Sequence, residues 1–425
     1  FLFIRKQELP QGNSSCDIGR RSTAMEFSLS FFLSGALCFA ASSISSVGGI
    51  GGGGLFVPIL AIISGVDLKT ASGYSTFMVT GGSLANVMWN LFARSDKLDG
   101  RTLIDFDIAL LAEPCMLVGV SIGVICNLAF PEWLITIFFS IFLTWSTIKT
   151  CGNGLMMWRL ESQAAVMDQS EVGEAGNCSC IEIKEPLLVK KPAVNMQYPW
   201  IKLAILITIW VSFYLLYLIR GNRYGEGIIH IKACGFTYWF LLFLQLPLAA
   251  VFTGCMIMRN DNSDQQANYR TESGRQEGGE TARRKLVIPA VALLAGVLGG
   301  VFGIGGGMLI SPFLLQVGIP PEVSSATCSF MVFFSSTMSS LQLILLGMED
   351  VEGAAALAGV CFTGSAVGLA VGKRAIRKYG RASLIVFSVG IVMLFSTILI
   401  TTFEAVGIWR DLTRGSYMGF KLPCK

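Results

Sequence analysis

Two glycine tracts carry the most suggestive chemistry in the chain. Gly48, Gly49, Gly51, Gly52, Gly53 and Gly54 are interrupted only by Ile50, and Gly303, Gly305, Gly306 and Gly307 only by Ile304. Glycine breaks helices through its flexibility and leaves backbone amides uncovered. Each tract precedes a short apolar piece, 55–64 or 309–317, with Pro58 and Pro312 early in it, where proline is tolerated. A helix beginning at such a break would present unpaired N–H groups and the positive end of its dipole, both favourable to an anion. The backbone positions that could bind substrate are therefore Gly49, Gly51, Gly52 and Gly53 with Pro58, and Gly303, Gly305, Gly306 and Gly307 with Pro312. The plainer use of such glycines is close helix packing. Neither tract ends in the Lys-Ser/Thr of a phosphate loop, and no strand precedes either one, which argues against a nucleotide.

Polar side chains inside apolar runs extend the candidate set. Thr76 and Asn86, with Ser75 and Asn90 nearby, have Ser329 and Gln342, with Ser335 and Ser339, as rough counterparts. Hydroxyl and amide groups donate to an oxyanion without adding a fixed charge, although helix-to-helix bonding explains any single one equally well. Glu113, followed by Pro114, is the acid set well inside an apolar run, where a carboxyl is costly. It reads either as a proton-coupling group or as an interfacial structural one. No Ser/His/Asp, Cys/His or HExxH arrangement occurs, and the single histidine, His230, cannot build a His-rich zinc centre. Cys178 and Cys180 form an isolated CxC pair, weak as a metal motif. No enzyme, cofactor or resident metal is expected.

The elements that would position these residues are membrane helices. The chain is 53% hydrophobic and 14% charged, well below the ordinary charged share of about 25%. From Phe27 to Ala93 only Asp67 and Lys69 are charged, and from Leu286 to Leu346 only Glu322 is. Runs near 20 apolar residues match the hydrocarbon thickness. The expected class is all-α and polytopic, with about 10–12 helical segments in two repeats. Its divisions are a tail at 1–26, a first membrane repeat at 27–149, a polar loop at 150–199, two linking spans within 200–258, a second polar loop at 259–285, a second repeat at 286–403 and a tail at 404–425. Residues 1–24 precede the first methionine, Met25, and Phe1 to Ile4 is too short for a signal-peptide core. Net charge is +4 and the basic residues flank apolar runs, a topology signal rather than a nucleic-acid footprint.

The two halves match each other. Residues 49–60 and 303–314 are identical at 8 of 12 positions, and Phe77-Met78-Val79 meets Phe330-Met331-Val332 further on. Low-complexity glycine would not also reproduce the leucine, the proline and the Phe-Met-Val. Arg94, Lys97 and Arg101 make the connection after the third segment basic, while its counterpart carries Glu349, Asp350 and Glu352. The next connection reverses the sign, with Lys373, Arg374, Arg377, Lys378 and Arg381 in the second half. Equivalent loops then face opposite sides, as in the inverted repeats of secondary transporters.

The glycine-proline blocks 48–60 and 302–314 resemble the TauE/SafE family of sulfite exporters. The likeness extends through 319–327, 103–111, 379–385 and 417–420 and is similar to the plant branch. The resemblance implies export of sulfite, sulfoacetate or related organosulfur anions, coupled to an ion gradient, with the glycine blocks lining the path. Three readings follow. The first is a secondary carrier of a sulfur oxyanion in a lipid bilayer, with a proton as one candidate coupling ion. The second is a carrier of another small metabolite. The third is a scaffold recruiting soluble partners through its loops.

Overall fold

The computed structural model describes residues 17–49, 52–92, 102–171, 200–220, 236–268, 278–348 and 350–379, together with helical positions between 383 and 402. Ile50, Gly51, the 93–101 connection, Cys178, Cys180, His230 and the stretch from 403 onward lie outside the described residues.

The helices are α1 (Asp17–Ser46), α2 (Gly53–Ile63), α3 (Leu68–Phe92), α4 (Phe106–Ala129), α5 (Glu132–Glu171), α6 (Trp200–Arg220), α7 (Phe236–Asn268), α8 (Gly278–Phe302), α9 (Gly307–Gln316), α10 (Pro321–Leu345) and α11 (Val351–Tyr379). No β-strand occurs among the described residues. Among the described residues, six helices are long and apolar enough to cross a bilayer. Backbone polar groups cannot face lipid unpaired, and helices satisfy them internally. The chain is thus an all-α, multi-pass membrane protein. Two stretches differ from the sequence expectation. α5 continues past Lys149 to Glu171, and α7 and α8 extend to Asn268 and back to Gly278, so polar residues expected in loops prolong membrane helices.

Contacts fix the helix directions. Ser34 and Ser64 place their hydroxyls 2.7 Å apart, so α2 folds back along α1. Cys328 on α10 reaches the carbonyl of Gly307 and Ser324 that of Ser311, so α9 runs antiparallel to α10. The central pair, α3 and α10, is also antiparallel: Tyr74 meets Asp350, Thr80 meets Ser340 and Asn86 meets Ser329. α1 lies parallel to α11, with Gly364 on the Phe39 carbonyl and Gly372 on Val47. α8 lies parallel to α4, with Gly119 on the Leu293 carbonyl and Gly123 on that of Val297. One end of the bundle gathers the end of α3, the starts of α4, α6 and α10 and the end of α11. It carries Lys202, Lys373, Arg374 and Lys378 and is the basic end.

α3 falls outside the six apolar spans because of its serines, threonines and asparagines. It is enclosed by α2, α10 and α11, and Ser72, Ser75, Thr76, Ser83, Asn86 and Asn90 are buried. Packing pays for a polar centre that lipid would reject.

Candidate functional site

The chain turns sharply at both tracts. Gly49 (φ +73°), Gly52 (φ +82°), Gly303 (φ +68°), Gly305 (φ +69°) and Gly306 (φ +70°) sit in the left-handed region that only glycine enters at low cost. Gly52 and Gly306 are the N-caps of α2 and α9, and Gly53 and Gly307 their first residues. The described residues of both tracts are buried. Pro58 and Pro312 stand inside the short helices and are buried with them.

Space as well as backbone angle selects glycine. A Cβ on Gly49 would strike the carbonyl of Ser325, and one on Gly303 would strike the carbonyl of Ser72. The two breaks touch. A Cβ on Gly53 would come within 2.6 Å of the Ile304 Cα, and Val79 lies against both Gly53 and Gly305. Val332 closes Gly305 from the other side, 3.0 Å from the same ideal position. Ser75 donates to the Gly303 carbonyl at 2.7 Å and to that of Gly53 at 3.4 Å, joining the two tracts through one hydroxyl. Cys328 makes the matching contact to Gly307 at 3.4 Å, and Ser335 donates to Gly305.

Both helix starts leave donors over. Leu55 and Phe56 bond back to Gly52, and Leu309 and Ile310 to Gly306. The amides of Gly53, Gly307 and Met308 find no acceptor among the described residues. A buried donor without a partner costs about 1–3 kcal/mol. Because α2 and α9 run in opposite directions, their positive ends point toward opposite ends of the bundle.

The side chains group unevenly. Asn86 donates to the Ser46 carbonyl at 3.4 Å and the Ser329 hydroxyl at 3.3 Å, beside the first break, while its Oδ1 has no partner among the described residues. Ser329 in turn donates to Ser325. Thr76 donates to the Ser72 carbonyl of its own helix. Gln342 points instead toward α4, where it donates to Ser121 at 3.4 Å with its Oε1 unpartnered. Glu113 is 0% exposed, and both carboxyl oxygens lack a partner among the described residues. It lies one turn before Met116, whose terminal methyl is 2.8 Å from where a Gly306 Cβ would be. Gly51 is outside the described residues. Sequence reasoning passed over Asn127, which donates to Val301 at 2.6 Å and to Ser72 at 3.2 Å. It also passed over Val79 and Val332, whose only signal was their place in the repeated Phe-Met-Val. No group of His, Cys, Asp and Glu able to hold a metal occurs among the described residues.

A buried pair of helix breaks within a multi-pass bundle is an arrangement that secondary transporters use. The family model for the sulfite exporter TauE/SafE matches residues 3–174 and 192–400, and the chain belongs to that family. It is 56% identical over 411 residues to sulfite exporter TauE/SafE family protein 2 of Arabidopsis thaliana, covering 94% of this chain and 89% of the relative. Family protein 1 of the same plant is 52% identical over 409 residues, covering 95% and 90%. The Bacillus subtilis protein described as "Probable membrane transporter protein YunE" is 36% identical over 86 residues, 20% of this chain and 32% of its own length. No solved structure matches the chain.

Proposed function

We propose that this transporter carries a small anion, sulfite or an organosulfonate, by alternating access at the paired breaks. The observation that carries the reading is the meeting of two interior helix starts, each with an amide that finds no acceptor among the described residues, from α2 and α9 running in opposite directions. Their positive ends favour a negative solute without a fixed cation in the path. The antiparallel α3–α10 pair and the doubled α1–α11 and α4–α8 packing support two inverted halves. The names of the plant relatives point to sulfite among small anions.

Val79, Val332 and Ile304 occupy the space where the breaks touch. A solute therefore passes only when the breaks part, which is the requirement of a carrier that opens to one side at a time. Glu113 supplies the coupling: a buried carboxyl that takes a proton with the solute, one turn from the residue packed on Gly306. Positive-inside bias puts the basic end in the cytoplasm.

Proteoliposomes containing the full chain should show saturable uptake of labelled sulfite, lost in Gly52→Leu and Gly306→Leu. Absence of flux for every anion in a panel of sulfite, sulfate and methanesulfonate, with folded protein in the bilayer, would refute the reading.

A further inference from the structure

Lys373 is set near the end of the span Val351–Ala375, where lysine ordinarily reaches outward to the interface. Here it turns inward. Its ammonium donates to Asn90 Oδ1 at 3.1 Å and lies 5.6 Å from the centre of the Trp89 ring. Asn90 is 4% exposed, and Lys373 makes no ion pair among the described residues. Glu322, in the first turn of α10, is within electrostatic range of it but does not pair with it.

The surroundings continue inward. Asn86 precedes Asn90 by one turn on the same face of α3 and reaches the Ser46 carbonyl and Ser329 at the first break. Gly372, next to Lys373, packs on Val47, whose carbonyl accepts from Ser325. A cation, two buried carboxamides and a hydroxyl thus lead from the basic end to the start of α2, whose positive end points the same way. Asn86 Oδ1 is fully buried and unpartnered beside this track. A ligand hydroxyl or its hydration water would satisfy it.

The other end is built differently. Matching Gly119 to Gly364 and Gly123 to Gly368, which pack alike, places Leu128 where Lys373 stands. The 253-residue spacing that pairs Ser72 with Ser325 places Leu343 where Asn90 stands and Ser339 where Asn86 stands. Lys69, at that end, donates to the last-turn carbonyl of Leu128 at 3.0 Å, the position of a helix cap.

We infer that Lys373, Asn90, Asn86 and Ser329 form a loading site for a small oxyanion at the basic end, with no equivalent among the described residues of the opposite end. The site rests on the anion-carrier reading and adds a direction to it: the solute is captured from the basic side and released at an end whose Lys69 is engaged on the Leu128 carbonyl. Lys373 attracts the anion, and Trp89 with Asn90 holds the ammonium facing the track.

The test is uptake of labelled sulfite by right-side-out and inside-out vesicles containing the full chain. Lys373→Gln should raise the half-saturating sulfite concentration about tenfold for loading from the basic end and raise it much less in the other direction. Lys373→Arg should restore most of the loss, and Leu128→Lys should lower the half-saturating concentration at the opposite end. Wild-type protein supplies a measurement independent of any variant: raised ionic strength should weaken loading from the basic end more than from the other. Equal effects of Lys373→Gln in both directions, or none, would overturn the loading site while leaving the carrier intact, as would equal salt sensitivity. Wild-type vesicles that move no anion at all would instead bring down the carrier reading beneath it.

Discussion

Gly303 separates two reasons for a glycine that are often confounded. Its φ of +68° makes any side chain strained, and the Ser72 carbonyl occupies the Cβ position as well. Gly318 has φ +91° with nothing within 4 Å of its Cβ. Gly318→Ala should therefore cost about 1–2 kcal/mol from backbone strain alone. Gly303→Ala, and Gly49→Ala against Ser325, should cost on the order of 3 kcal/mol or more because strain and collision add. Thermal unfolding in detergent would rank them, and equal losses at Gly318 and Gly303 would contradict the close approach of the tracts to α3 and α10. Glu113 belongs to the same scale. Glu113→Gln keeps the shape and removes the proposed proton site. Anion exchange should persist while stimulation by a pH gradient is lost, read as sulfite flux with and without an imposed gradient. Retained stimulation would assign the coupling elsewhere.

Several of the long helices pack through their glycines. Gly123 on α4 meets the Val297 carbonyl, and Gly368 on α11 meets that of Ser43. Backbones at such crossings approach too closely for any side chain. Gly359, also on α11, faces open space. Gly123→Leu and Gly368→Leu should each lower stability by about 3 kcal/mol or prevent accumulation, whereas Gly359→Leu should be nearly silent. Folded yield and melting temperature in detergent would show the contrast. This scale also marks what was legible in the sequence. The apolar runs located the spans, and the matched tracts located both breaks, because hydrophobicity and glycine act locally. The reach of α5 to Glu171 was not legible, since a helix whose polar end leaves the bilayer has the composition of a loop. Nor was the seat of Lys373: a lysine at a helix end looks the same whether it turns inward to Asn90 or outward to water. Gln342 matched Asn90 only roughly, and packing sends it to Ser121 instead.

Taken whole, the molecule is two sets of helices that meet along α3 and α10, and the proposed alternating access requires that seam to shift. A rocking of one half against the other displaces residues on opposite sides of the seam, while residues within one half keep their neighbours. Thr80 and Ser340 face each other across it with hydroxyls 3.1 Å apart. Replacing both, Thr80→Cys with Ser340→Cys, puts two sulfurs within reach of a disulfide. Oxidation should then pin α3 to α10 and reduce flux at least tenfold, with recovery on reduction and no effect of oxidation on either single variant. Labelled methanesulfonate suits the measurement, because sulfite itself cleaves disulfides. A cross-linked protein that still turns over at the full rate would mean that the seam is static. The breaks would then have to part by local motion of α2 and α9 alone, with α3 and α10 as a fixed wall between them.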